Sequence, residues 1–249
     1  MIVAANWKMN LSLGAAGALV AAYMADGTEV SANGKTGPQR VLFVPFPYLV
    51  PVGMRLGASN IRLGAQDCHP KVSGAHTGDV AAGMIADCGA SIVLVGHSER
   101  RTDHHESDAM VAQKAEAALA AGLDVMICVG ETAAERESGS AIAVIQRQLA
   151  GSIPDDCPTD RLTIAYEPVW AIGTGAVASA VEIAEMHAEI RSVLDAKELS
   201  KTGILYGGSV KAENAADIFG LPHVDGALVG GASLDAGQFA AICAAATGK

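Results

Sequence analysis

A chain of 249 residues, half of them hydrophobic and only 4% aromatic, buries roughly 70–75% of its extended surface on folding, in a core that must be Ala, Val, Ile and Leu rather than rings. Its net charge of −10 argues against nucleic acid as a partner, because phosphate backbones are held by clustered Lys and Arg. The apolar stretches fall short of the roughly 20 residues of a membrane span, and residues 1–8 lack the basic start and apolar run of a secretion signal, so no membrane contact and a cytoplasmic location are expected.

Short apolar, β-branched runs recur at residues 2–5, 41–44, 61–65, 92–95, 125–129, 162–166, 204–206 and 227–229. Ala-rich segments with helical spacing lie between them, as at 108–121 and 181–199, and the Gly-, Thr- and Ser-rich stretch 26–39 reads as a loop. Strand then helix, repeated, implies a parallel sheet, and nearly continuous apolar strands imply burial on both faces. Eight such units in about 250 residues favour a closed (β/α)8 barrel over a doubly wound sheet. No linker, charge block or composition shift marks a boundary, so residues 1–249 are expected to form one α/β barrel domain.

The ends of the runs carry the chemistry. The first is followed by Asn6 and Lys8, the third by Gln66 and Asp67, the fourth by Gly96-His97-Ser98-Glu99 and the fifth by Gly130-Glu131. Glu167 follows the sixth, Gly207-Gly208-Ser209 the seventh, and Gly230-Gly231 the eighth. In a parallel barrel these meet at the C-terminal rim, where such folds keep their active sites. Lys8 taken alone is an ordinary surface lysine. In so acidic a chain it is the natural anion anchor, since a cation about 4 Å from an anion is worth roughly 4 kcal/mol at an effective dielectric near 20, against roughly 0.3–1 kcal/mol from a helix terminus.

Ser98 and Glu99 read as a helix start, which lowers the pKa of His97 and leaves a neutral ring able to donate to a carbonyl oxygen. Glu167 lies between an apolar strand and the apolar residues 169–172, so desolvation is expected to raise its pKa into the range of a general base, with Pro168 stiffening the chain beside it. The glycine loops 207–209 and 230–233 stand where this fold binds phosphate. Residues 171–175 read as a mobile lid, their likeness to a dinucleotide glycine motif being too short. Asp103-His104-His105-Glu106 reads as a solvated helix start rather than a metal site, and Glu131, Glu135, Arg136 and Glu137 as the charged face of a helix. Five scattered cysteines, Cys68, Cys88, Cys128, Cys157 and Cys243, read as reduced thiols without metal spacing.

Six segments in this order, Asn6-Trp7-Lys8-Met9-Asn10, Gly96-His97-Ser98-Glu99-Arg100-Arg101, Cys128-Val129-Gly130-Glu131-Thr132, 165–175, Tyr206-Gly207-Gly208-Ser209-Val210 and 225–234, give the chain an end-to-end resemblance to the triosephosphate isomerase family. The resemblance implies interconversion of dihydroxyacetone phosphate and D-glyceraldehyde 3-phosphate through a cis-enediolate, in glycolysis and gluconeogenesis, with no cofactor and no metal. It makes Glu167 the base, His97 the neutral electrophile, and Lys8 with Asn6 the oxyanion-stabilising pair, Glu99 belonging to the same catalytic set. Substrate is held by Asn6 and Lys8 and by Gly173, Ser209, Gly230 and Gly231 as phosphate donors. The lid spans 168–178, including Pro168, Val169, Trp170, Ala171, Ile172, Gly173, Thr174 and Gly175, and is latched by Tyr206 and Ser209. Thr77, in the loop 73–79, is similar to the residue that enters a neighbouring subunit, which implies a homodimer. The chain departs from the family's usual pattern at Asp67, Asp79, His104 and Ala176-Val177. Two other readings stand beside this one: another phosphosugar isomerase or lyase on the same barrel, which leaves His97 and Glu167 unexplained, and a catalytically silent phosphate-binding barrel.

Overall fold

All eight apolar runs are strands in the computed structural model, which describes residues 1–25, 37–172 and 177–247. They are β1 (Ile2–Asn6), β2 (Gln39–Val44), β3 (Arg62–Ala65), β4 (Ile92–Val95), β5 (Asp124–Val129), β6 (Leu162–Tyr166), β7 (Gly203–Tyr206) and β8 (Gly226–Val229). Each pairs in parallel with its neighbours in sequence, and β8 returns to β1 with Ile2 opposite Gly226, closing the barrel. Parallel neighbours require crossovers, and these are supplied by α1 (Leu13–Ala25), α2 (Leu49–Leu56), α3 (Ala82–Asp87), α4 (Ser98–Asp103), α5 (Asp108–Ala120), α6 (Ala133–Glu137), α7 (Ala141–Ser152), α8 (Ala180–Ala196) and α9 (Ala215–Phe219), while α10 (Ala236–Ala245) follows the last strand.

Side chains alternate along each strand, so the barrel has two apolar layers. Ala4, Phe43, Leu94, Met126, Ala165 and Leu205 fill the interior, while Val3, Leu42, Val93, Ile127 and Ile164 face the helices. Gly64 makes room inside for Phe43, whose ring would lie 2.6 Å from a Cβ there. No described helix is long and apolar enough to cross a membrane. The cysteines are thiols, with Cys128 in the interior layer and fully buried.

Two local expectations need correction. The helix expected over 181–199 ends at Ala196, because Glu198 adopts a left-handed φ of 61° and the Leu199 N–H returns to the Leu194 carbonyl at 2.8 Å. Residues 103–106 are not a solvated helix start: α4 ends at Asp103, and Glu106 is buried against Arg100 Nε (2.6 Å) and Lys114 Nζ (2.5 Å). Lys114 also grips both oxygens of Asp67, at 2.7 and 2.9 Å, and Arg100 reaches Asp67 at 2.9 Å. Two buried carboxylates thus face two cations. Burial raises the pKa of Asp67 more than Lys114 lowers it.

Candidate active site

Because every strand runs the same way, the residues just beyond the strand ends converge. A cavity of about 310 Å³ at this rim is lined by Asn6, Lys8, His97, Glu167, Ser209, Gly230 and Gly231, seven of the residues expected from the sequence. Glu99 lines the adjoining cavity instead, where it pairs with Lys8 Nζ at 2.6 Å. Thr77 is on the exposed loop between β3 and α3 and does not line the cavity. Gly173, Thr174 and Gly175 lie outside the described residues.

Lys8 is held in a left-handed conformation, φ 51°, which is unfavourable for a residue with a Cβ. Two side chains hold it there. Asn6 Oδ1 accepts the Lys8 N–H at 3.0 Å, and Gln66 Nε2 donates to the Lys8 carbonyl at 2.9 Å, to Phe43 O at 3.1 Å and to Asn6 Oδ1 at 3.3 Å. Gln66 was visible in the sequence only as a strand-end polar residue; its role in shaping the Lys8 turn depends on β1, β2 and β3 lying side by side.

The start of α4 is capped by His97 itself rather than by Ser98. Its Nδ1 accepts the Glu99 N–H at 3.2 Å, so the neutral ring carries its proton on Nε2, which sits 2.9 Å from Glu167 Oε1. The second oxygen, Oε2, accepts the Ser98 N–H at 2.9 Å. These contacts overturn both pKa expectations. Burial raises the Glu167 pKa, but the charge and hydrogen bond of His97, then Ser98 and Lys8, lower it below the ordinary carboxylate value. Burial lowers the His97 pKa, but Glu167 raises it more strongly, leaving the ring above its ordinary value. The apolar surroundings read from the sequence are real, yet the partners folding brings to Glu167 outweigh them.

The backbone of Glu167 is also fixed. Glu167 N–H donates to Val129 O at 2.7 Å and Val169 N–H to Glu131 O at 3.1 Å, with Gly130 between. Gly207 packs so closely that a Cβ there would stand 2.9 Å from Glu167 Cγ. Glu131 is not on a charged helix face. It is fully buried and accepts bonds from Arg136 (2.8 Å), Trp170 Nε1 (2.9 Å) and Tyr166 OH (3.1 Å), and Arg136 stacks 5.1 Å over the Trp170 ring. Pro168 leads into a short 3-10 turn, Val169–Ala171, after which Ile172 reaches the cavity.

At the phosphate-type loops, Gly230 precedes a 3-10 turn, Gly231–Leu234, its carbonyl is taken by Ser233 Oγ at 2.7 Å, and both Gly230 and Gly231 line the cavity. The cavity wall also includes Lys211 and Gln238, which the sequence did not single out. Among the described residues, His69, His76 and Asp79 form a cluster of metal-capable side chains, away from this cavity. There His69 Nδ1 accepts the Lys71 N–H at 3.1 Å, which keeps the proton of the neutral ring on Nε2, 3.6 Å from Asp79, and disfavours ligation.

The family model for triosephosphate isomerase matches residues 1–246. The triosephosphate isomerase of Chelativorans sp. is 49% identical over 251 residues, covering 100% of this chain and 97% of that relative. That of Acidiphilium cryptum is 49% identical over 256 residues, covering 98% of each. The crystal structure of triosephosphate isomerase from Bartonella henselae aligns with a TM-score of 0.89 at 42% identity, covering 98% of both chains. Matched along its whole length in sequence and in fold, the chain belongs to the triosephosphate isomerase family.

Proposed function

We infer that this protein is an aldose–ketose isomerase interconverting dihydroxyacetone phosphate and D-glyceraldehyde 3-phosphate, a glycolytic and gluconeogenic step. The observation that carries the reading is the Glu167–His97 pair, 2.9 Å apart and buried in one cavity with Lys8 and the two glycine loops.

Glu167 removes the proton from one carbon and returns it to the next, while His97 Nε2–H donates to the carbonyl oxygen and Lys8 and Asn6 stabilise the charge on the enediolate. To reach a carbon the carboxylate must leave His97 and Ser98. That movement takes away the chief influence raising the His97 pKa. Burial, Lys8 and the Glu99 N–H at Nδ1 remain and favour a neutral ring that donates from Nε2, opposed only by the exposed Glu99 carboxylate 3.6 Å from Nδ1. The low resting pKa of Glu167 keeps the base ionised, and loss of its partners in the bound state raises its basicity where the chemistry occurs.

Ser209, Gly230, Gly231 and Gly173 supply N–H groups to the phosphate, Glu99 holds Lys8, and 168–178 closes as a lid that excludes water from the enediolate. The chain acts as a single-domain, cytoplasmic homodimer, with the exposed loop 73–79 carrying Thr77 into its neighbour. A coupled assay on the purified full chain, supplied with each triose phosphate in turn, is expected to show the other forming, and no conversion in either direction overturns the reading. Sedimentation at the assay concentration is expected to give twice the chain mass.

A further inference from the structure

We propose that Lys211 is the substrate-steering residue of this active site, the cation that determines whether the mouth of the cavity attracts or repels a phosphorylated triose. The proposal rests on the isomerase reading above and goes beyond it, since Lys211 is not among the residues assigned to the reaction or to the phosphate.

The chain carries a net charge of −10, the wrong sign for a ligand whose phosphate is close to doubly ionised at neutral pH. Local charge must therefore reverse the field at the mouth. Among the described residues, three that line the cavity carry a full charge: Lys8, Glu167 and Lys211. Lys8 is matched by Glu99 at 2.6 Å, and Glu167, 2% exposed in the cavity floor, is matched by His97 at 2.9 Å. Lys8 and Glu167 are each compensated at short range, so Lys211 is the lining charge whose field is left to act on a ligand in solvent. Lys211 is exposed, and among the described residues it forms no ion pair. Glu213, the nearest acidic residue in sequence, does not line the cavity.

The backbone keeps that charge in place. Lys211 follows Val210, which is buried, and Asn214 brackets the turn by accepting the Lys211 N–H at 2.8 Å and donating to Ser209 O at 3.0 Å. The Lys211 backbone is thus fixed beside the 207–209 loop, and its side chain lines the cavity. For an enzyme working near the diffusional ceiling, as triosephosphate isomerases are the standard example of doing, kcat/KM follows the encounter rate, so a charge at the mouth is read directly in that constant.

The test is kcat/KM for D-glyceraldehyde 3-phosphate over a range of ionic strength, for the wild type, Lys211→Met, Lys211→Arg and Lys211→Glu. Lys197→Met serves as a control: it makes the same change in net charge at the exposed end of α8, on the opposite rim. At low salt Lys211→Met is expected to lower kcat/KM about 3- to 10-fold with kcat held, Lys211→Glu to lower it further and make it rise with added salt, and Lys211→Arg and Lys197→Met to match the wild type. The differences are expected to collapse near 0.5 M salt, where the screening length has shrunk to about 4 Å. Equal kcat/KM for Lys211→Met and wild type at low salt, an equal loss in Lys197→Met, or a loss that persists at high salt, overturns the proposal. A wild type that converts neither triose phosphate overturns the isomerase reading instead.

Discussion

A Cβ added to Gly130 would overlap the backbone carbonyl of Glu167, and Gln148 of α7 clamps Gly130 from behind, accepting its N–H at 2.7 Å and donating to its carbonyl at 3.0 Å. Gly130 is a glycine because two strand ends meet there with no room for a side chain. Gly130→Ala is expected to displace Glu167, the proposed base, and lower kcat by about 10²-fold or more, since misplacement on the order of 1 Å costs that much. Steady-state kinetics beside circular dichroism checks it, and an undiminished kcat would show that the contact does not position Glu167.

Gln148→Leu leaves two backbone groups of Gly130 without their partner. Each unpaired buried group costs about 1–3 kcal/mol, so a stability loss of about 2–6 kcal/mol in urea is expected, accompanied by a fall in kcat with KM little changed. Gln148→Glu keeps an acceptor for the N–H but no donor for the carbonyl, and is expected to fall between the two.

Glu167→Asp withdraws the carboxylate by one methylene from both His97 Nε2 and the reacting carbons. Turnover is expected to drop on the order of 10²-fold while binding of a phosphate-bearing inhibitor changes little. Comparing kcat with the inhibition constant separates the two effects.

His187 is fully buried on α8, bonded through Nδ1 to His223 O at 2.9 Å, and burial depresses its pKa from 6.5 to about 4. A histidine depressed in the folded state binds its proton more readily when unfolded. Its contribution to stability is therefore intact above about pH 6.5 and lost as the pH falls towards 4, amounting to about 3 kcal/mol. Urea unfolding at pH 7.5 and 5 is expected to show this slope, and His187→Gln to flatten it.

Lys114→Met strips the shared cation from Asp67 and Glu106, both buried. Breaking such a cluster from one side typically costs about 3–5 kcal/mol, and restoring neutrality with Asp67→Asn in the same chain is expected to recover part of it. Thermal unfolding of the single and double variants measures the coupling.

The strand runs and the residues lining the rim cavity were legible because parallel strands buried on both faces leave an unbroken apolar signature, and the residue after each run must fall at one rim. Helix ends were less legible, as at Ala196, where a left-handed Glu198 rather than composition stops the helix. Glu106 and Glu131 were misread as solvated because a carboxylate carries no mark in the sequence of the Lys114 or Trp170 that will bury it.

What the sequence determined by itself was the barrel, its order of strands and the identities of Lys8, His97 and Glu167, since each follows from local periodicity or from position after a run. What only the tertiary structure decided was the electrostatic state of those residues. Burial alone pushes the Glu167 pKa up, and the chain read in one dimension shows only that. Placing His97 Nε2 and the Ser98 N–H at 2.9 Å reverses the sign, because a charge and two hydrogen bonds a few ångströms away outweigh desolvation, and those partners lie 69 and 70 residues away along the chain.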